Sequence, residues 1–130
     1  MKKSRLINLF YAAAVMLVVG MTVVPSYASD HEYDFEFDFE YGNRVSTSSE
    51  MKHNDGPIVM TCTGSSGTSS VGYSAKAYSR KGMSTGEMQF DAGVTRYFYD
   101  VAYFSGDAVY IQGALNSYDV DSFWGVWNPD

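Results

Sequence analysis

The sequence predicts an all-β domain: a small antiparallel β-sandwich, or an open barrel, of six to seven strands behind an N-terminal signal helix. Three observations predict it. First, Tyr33, Phe35, Phe37, Phe39 and Tyr41 alternate with Asp34, Glu36, Asp38 and Glu40. In an extended chain that period of two points the rings one way and the carboxylates the other. Second, comparable runs recur at short intervals, bounded by clusters of Gly, Ser, Asn and Asp, which is the punctuation of strands and turns. Third, no window after residue 28 shows a 3.6-residue apolar period, so amphipathic helices are not expected.

The first 28 residues read as a signal peptide. Lys2, Lys3 and Arg5 form a positive start, and Leu6 to Val24 is apolar apart from Asn8 and Thr22. Pro25 breaks the helix, and Ser26 and Ala28 supply small residues for cleavage after Ala28, as in secretory leaders. The expected product is an exported, extracellular domain over residues 29–130, touching membrane only through the leader before cleavage.

Charge narrows the partners. Nine Lys and Arg, less the three in the leader, leave six against 15 Asp and Glu, a formal −9. Phosphate backbones need a basic surface, so nucleic acid is excluded, and anionic membranes are disfavoured by the same sign. Neutral or cationic partners are expected. With one cysteine, no internal disulfide can form, and packing alone must hold the fold.

The elements follow in order. The ring-and-acid strand spans Tyr33 to Tyr41 and stops at Gly42-Asn43; Val45 to Gly56 is polar and reads as loop. Pro57 to Thr63 is a short β-branched strand, and Gly64 to Ser70 is a linker suited to a loose hairpin. In Val71 to Arg80, Val71, Tyr73, Ala75 and Ala77 share one side. Glu87 to Ala92 is a fourth strand with Met88 and Phe90 inward. Gly106-Asp107 suits a two-residue hairpin turn. Folding there sets Phe104 opposite Val109, Ala102 opposite Ile111 and Phe98 opposite Leu115, all on one face. Tyr97, Tyr99, Tyr103 and Tyr110 then gather on the other, with Tyr103 opposite Tyr110. Asp100 is expected to pair with Arg96 at the rim. Phe123 to Trp127 forms the last strand, before Asn128-Pro129-Asp130.

Residues able to support chemistry are few. Carboxylates on one strand face stand about 6.5–7 Å apart, too far for two to clamp one Ca²⁺. Asp34, Glu36, Asp38 and Glu40 therefore read as a solvated face that resists edge-to-edge pairing, or as a dock for a cationic partner. Cys62 shares parity with Ile58 and Met60, as a buried thiol would; the alternative is a disulfide to a second chain. His31 and His53 are the only imidazoles, and there is no H-x-H, H-E-x-x-H or cysteine pair, so a zinc site is unsupported and neither a metal nor a cofactor is expected. No G-x-S-x-G elbow is present. An enzyme is not expected.

The expected function is binding. Exposed Tyr97, Tyr99, Tyr103 and Tyr110, with Trp124 and Trp127, offer flat apolar surfaces with polar tips, suited to proteins or sugar rings. The alternative is that a second sheet covers them as core.

The ending Gly125-Val126-Trp127-Asn128-Pro129-Asp130, together with the leader and Phe35-Glu36-Phe37, resembles small exported proteins of Gram-positive bacteria that end in G-x-W-x-P-D. In size and organisation the chain is distantly similar to the lactococcin-like bacteriocins. It is longer and more acidic than they are, and it lacks their His- and Asn-rich middle. The resemblance implies a β-sandwich acting on the bacterial cell envelope and transfers no site residue. The other functional expectation is a surface adhesive or glycan-binding module.

Overall fold

The computed structural model describes residues 31–68 and 71–130; the expected signal peptide, residues 1–28, lies outside them. Two antiparallel sheets face each other. The first has the order β1-β9-β4-β7, built from Tyr33–Glu40, Val120–Asn128, Ile58–Ser65 and Thr95–Phe98. The second has the order β2-β8-β5-β6, built from Arg44–Ser46, Ala108–Leu115, Tyr73–Ser79 and Met88–Phe90. A two-residue strand β3, Glu50–Met51, extends the β2 side of β8.

Alternation builds the core. Phe35, Phe37 and Phe39 of β1 are buried while Asp34, Asp38 and Glu40 are exposed. Opposite them, β5 and β8 turn in Tyr73, Ala75, Ala77, Val109 and Ile111. The small residues make room for the rings. A β-carbon at Gly113 would stand 3.1 Å from Phe37 and 3.2 Å from Phe39, so this glycine on β8 sets how closely the sheets approach. Tyr73 sits among Phe37, Phe90 and Phe123 at centroid distances of 5.6, 5.2 and 4.8 Å, each within the range where aromatic pairs attract.

Seven strands match the expected runs, and two more, β2 and β3, lie in the stretch expected to be loop. These edge strands are short and polar, and Thr47 joins them to β8 by accepting the Ile111 N–H with its hydroxyl at 3.0 Å.

Two pairings differ from expectation. β4 and β5 form no hairpin: β4 pairs with β9 and β7, and β5 with β8 and β6. β7 and β8 also lie in different sheets, with Phe98 beside Ile58 and Val109 beside Ser79. The expected turn is displaced by one residue: Asp107 N–H donates to the Phe104 carbonyl at 3.0 Å, which makes Ser105-Gly106 its centre in place of Gly106-Asp107. However, Asp100 at φ +59° and a 3-10 turn over Ala102–Phe104 precede it, and they carry the chain from one sheet to the other. Phe98, Phe104, Val109 and Ile111 are all buried as expected, Ala102 is exposed and Leu115 is half-buried. Arg96 does not pair with Asp100; it donates to the Gln89 carbonyl at 3.0 Å. Tyr41 leaves the ring face, with φ +45° and 60 % exposure, and packs on Tyr118 at 5.6 Å.

Candidate functional site

Splitting the expected hairpin splits the expected tyrosine face. Tyr97 follows β7 onto the outside of the first sheet, beside Val59, and Tyr99 stacks on it at 6.0 Å. Tyr110 follows β8 onto the outside of the second sheet. Its neighbour there is Tyr78 of β5, not Tyr103. Tyr103 stands exposed on the linking turn, edge-on to Phe104 at 4.7 Å.

The outside of the second sheet is the more organised surface. Tyr78 and Tyr110 are direct cross-strand partners, stacked at 5.3 Å and 12°. The next row pairs Lys76 with Gln112 and Gln112 with Ser46, and Gln112 donates to the Ser46 hydroxyl at 3.2 Å. The row beyond runs Arg44, Ala114, Ser74, Gln89. Because Ala114 is short, this row leaves a hollow of about 230 Å³ bordered by Arg44, Lys76, Tyr78 and Asn116. Its end is tied by a ring of side-chain hydrogen bonds: Ser74 to Asn116 at 2.5 Å, Asn116 to Gln89 at 2.9 Å and Gln89 to Ser74 at 2.8 Å. Tyr110 borders a second, more open hollow with Thr47, Arg80 and Gln112. The tyrosine stack is therefore a ridge between two polar depressions.

The outside of the first sheet is acidic at one edge and apolar further in. Asp38 accepts from the Ser122 hydroxyl at 2.7 Å, and Glu36 lies beside Trp124 of β9. Trp124 is half-buried, its indole lying over Gly64, where a β-carbon would come within 2.5 Å of the indole nitrogen. Trp127 is not a surface ring. It is 1 % exposed, on the inward parity of β9, with its centroid 6.0 Å from Tyr33.

Cys62 is buried and unbridged, as its parity with Ile58 and Met60 predicts. Its thiol lies 3.5 Å from the Gly64 carbonyl, and burial pushes its pKa up to about 12, so the reactive thiolate is suppressed. A disulfide to a second chain through this sulfur has no surface route in the fold, because Cys62 has 0 % exposure.

One end of the sandwich gathers a polar cluster that reading along the chain missed. Lys52 is 0 % exposed, and its ammonium donates to the Gly56 carbonyl and, at 2.9 Å, to that of Pro129. Burial lowers its pKa, against the attraction of Asp130 and Asp55. Asp130 accepts the backbone N–H of His53 at 2.5 Å through Oδ1, and its Oδ2 lies 3.0 Å from Nδ1 of both His53 and His31. Burial would raise the Asp130 carboxyl, but the His53 hydrogen bonds and the charge of Lys52 outweigh it and hold the group below the usual carboxylate range. The histidine rings stack at 4.8 Å. His53 and Asp130 are 77 residues apart, so no local spacing could have flagged them. The one hint was a lysine in a segment otherwise legible as loop.

No family model matches the chain, and no curated protein or solved structure matches it either. What the chain does must be argued from its own surfaces. The second sheet offers aromatic faces, fixed amides and hydroxyls, and cationic groups over a rigid floor, an arrangement able to bind without chemistry.

Proposed function

We propose that this chain is a secreted binding protein that engages a component of the bacterial cell envelope, a glycan first of all, through the outer face of its second sheet. One observation carries the reading: the Tyr78–Tyr110 stack between two hollows lined by amides, hydroxyls and charged groups, Glu87 among them. Sugar rings have an apolar face and a rim of hydroxyls. A tyrosine face covers the first, and Gln112, Asn116, Ser74 and Lys76 can satisfy the second. Each tyrosine keeps one ring face that the other does not cover. The stacking and the hydrogen-bonded ring at Ser74, Gln89 and Asn116 hold these groups before any ligand arrives, which lowers the entropy cost of binding.

This reading retains Tyr110 from the expected tyrosine set and adds Tyr78. Tyr97, Tyr99 and Tyr103 do not reach the same surface. The acidic row of Asp34, Glu36, Asp38 and Glu40 faces the other way and could serve a cationic partner separately.

The test is a pull-down of the purified chain on isolated cell walls and soluble wall polysaccharides. Retention that falls at least tenfold in Tyr110→Ala, and not in Tyr99→Ala, supports the proposal. Equal retention of both variants with the unmodified chain removes it. A bacteriocin-like action on related bacteria would add growth inhibition by the same protein; wall binding without inhibition makes the chain an adhesive module.

A further inference from the structure

We propose that His31, His53 and Asp130 form a binding site for a divalent first-row transition metal, which clips three distant parts of the chain together at one end of the sandwich. The proposal is independent of the glycan reading, which concerns the outer face of the second sheet and uses none of these three residues.

The geometry supports it in three ways. The candidate ligand atoms are two imidazole nitrogens and one carboxylate oxygen, all within 4.8 Å of one another. Metal–ligand bonds of about 2.0–2.2 Å place ligand atoms roughly 3–3.4 Å apart around a tetrahedral or octahedral ion, and both Nδ1-to-Oδ2 separations are 3.0 Å. The carboxylate is also held in advance. Its Oδ1 is occupied by the His53 N–H, which leaves Oδ2 aimed at the two rings, in the manner of an outer hydrogen bond that orients a ligand. Lastly, the imidazoles are 44 % and 52 % exposed at their side chains while Asp130 is at 1 %. An ion can therefore enter from solvent, meet a fixed anion and keep at least one position for water.

The histidine rings stack with 23° between their planes. Two imidazoles on one ion must splay further than that, and half-exposed rings can turn to do so. Lys52 opposes a second cation, but both Asp130 and Asp55 act on it, so the local balance stays negative. Two nitrogens and one oxygen suit zinc, copper, nickel or iron better than magnesium or calcium, which prefer all-oxygen shells. The chain segments joined are the residues ahead of β1, the β3–β4 loop and the residues after β9. A bound ion would thus oppose fraying of the segments before β1 and after β9 at that end of the sandwich.

Zinc chloride is the probe, titrated calorimetrically into the purified chain, with melting followed in parallel. The expected result is one ion per chain and a melting temperature at least about 5 °C higher when free zinc is 100-fold above its dissociation constant. His31→Gln and His53→Gln should each weaken binding at least tenfold while melting like the unmodified protein without zinc. Glu36→Gln, on the outer acidic face, should bind as before. Asp130→Asn should also lose zinc, but it gives up charge at a loop anchor, so the histidine variants decide. Zinc binding by the unmodified chain no stronger than that of a variant carrying both His31→Gln and His53→Gln overturns the site. So does binding that survives His53→Gln unchanged.

Discussion

Tyr78 and Tyr110 stand directly opposite each other on β5 and β8, with ring centroids 5.3 Å apart and planes within 12°. The pair lies on the outer face of its sheet, so it adds little to the core. Aromatic cross-strand pairs contribute about 0.2–1 kcal/mol. Tyr110→Ala is thus expected to lower stability by no more than about 1 kcal/mol, read as a small drop in urea midpoint, while abolishing most wall binding. A loss of binding explained by unfolding would show as a collapsed midpoint instead.

Gly125 marks where the first sheet is least tolerant. A β-carbon there would lie 2.0 Å from the Thr61 carbonyl oxygen and 3.0 Å from the Phe35 ring. Backbone cannot yield as a flexible side chain can, so Gly125→Ala should cost about 3 kcal/mol. Denaturant unfolding checks this. At Gly113 the neighbours are ring atoms of Phe37 and Phe39, and Gly113→Ala should cost less, about 1–2 kcal/mol.

Cys62 and Tyr73 together set the alkaline limit. Burial raises the thiol from 9.0 to about 12 and lifts the phenol well above 10.0. The folded state therefore holds both protons more tightly than the unfolded chain. This stability is complete below pH about 9 and is lost as pH rises toward about 12. Cys62→Ala and Tyr73→Phe should each flatten the fall in melting temperature above pH 9, after allowance for lost packing. At pH 8 a thiol reagent should leave the native protein unlabelled and react fully in urea.

Lys52 is expected to matter more than its surroundings suggest. Its ammonium binds two carbonyls in a fully buried position beside Asp130. Lys52→Met would leave those buried acceptors unpaired and remove the cation beside Asp130, with a cost of about 3 kcal/mol. Thermal melts compare it with Lys76→Met on the outer face, where the effect should stay within about 0.5 kcal/mol.

Much of the fold was legible because one face of each main strand is dry. The run Phe35, Phe37, Phe39 admits a single parity, and so does Tyr73, Ala75, Ala77; a slip of one residue would bury their charged and polar partners. The same logic could not assign strands to sheets. Phe98, Phe104, Val109 and Ile111 point inward both in a hairpin and in a chain crossing between facing sheets, so the apolar pattern is silent on the choice. The tyrosines were then misgrouped because their grouping rested on that choice. β2 and β3 escaped notice because edge strands of two and three residues carry too little pattern. The cluster of His31, Lys52, His53 and Asp130 was illegible for a further reason. Its members meet only once the segments before β1, before β4 and after β9 converge at one end.

The most direct test of the account is an NMR titration of the labelled chain with a soluble envelope oligosaccharide. Perturbed amide signals are expected to cluster on β5 and β8 around Lys76, Tyr78, Tyr110 and Gln112. Perturbations centred on Tyr97, Tyr99 and Trp124, or none at saturating sugar, would contradict the assignment of the binding face.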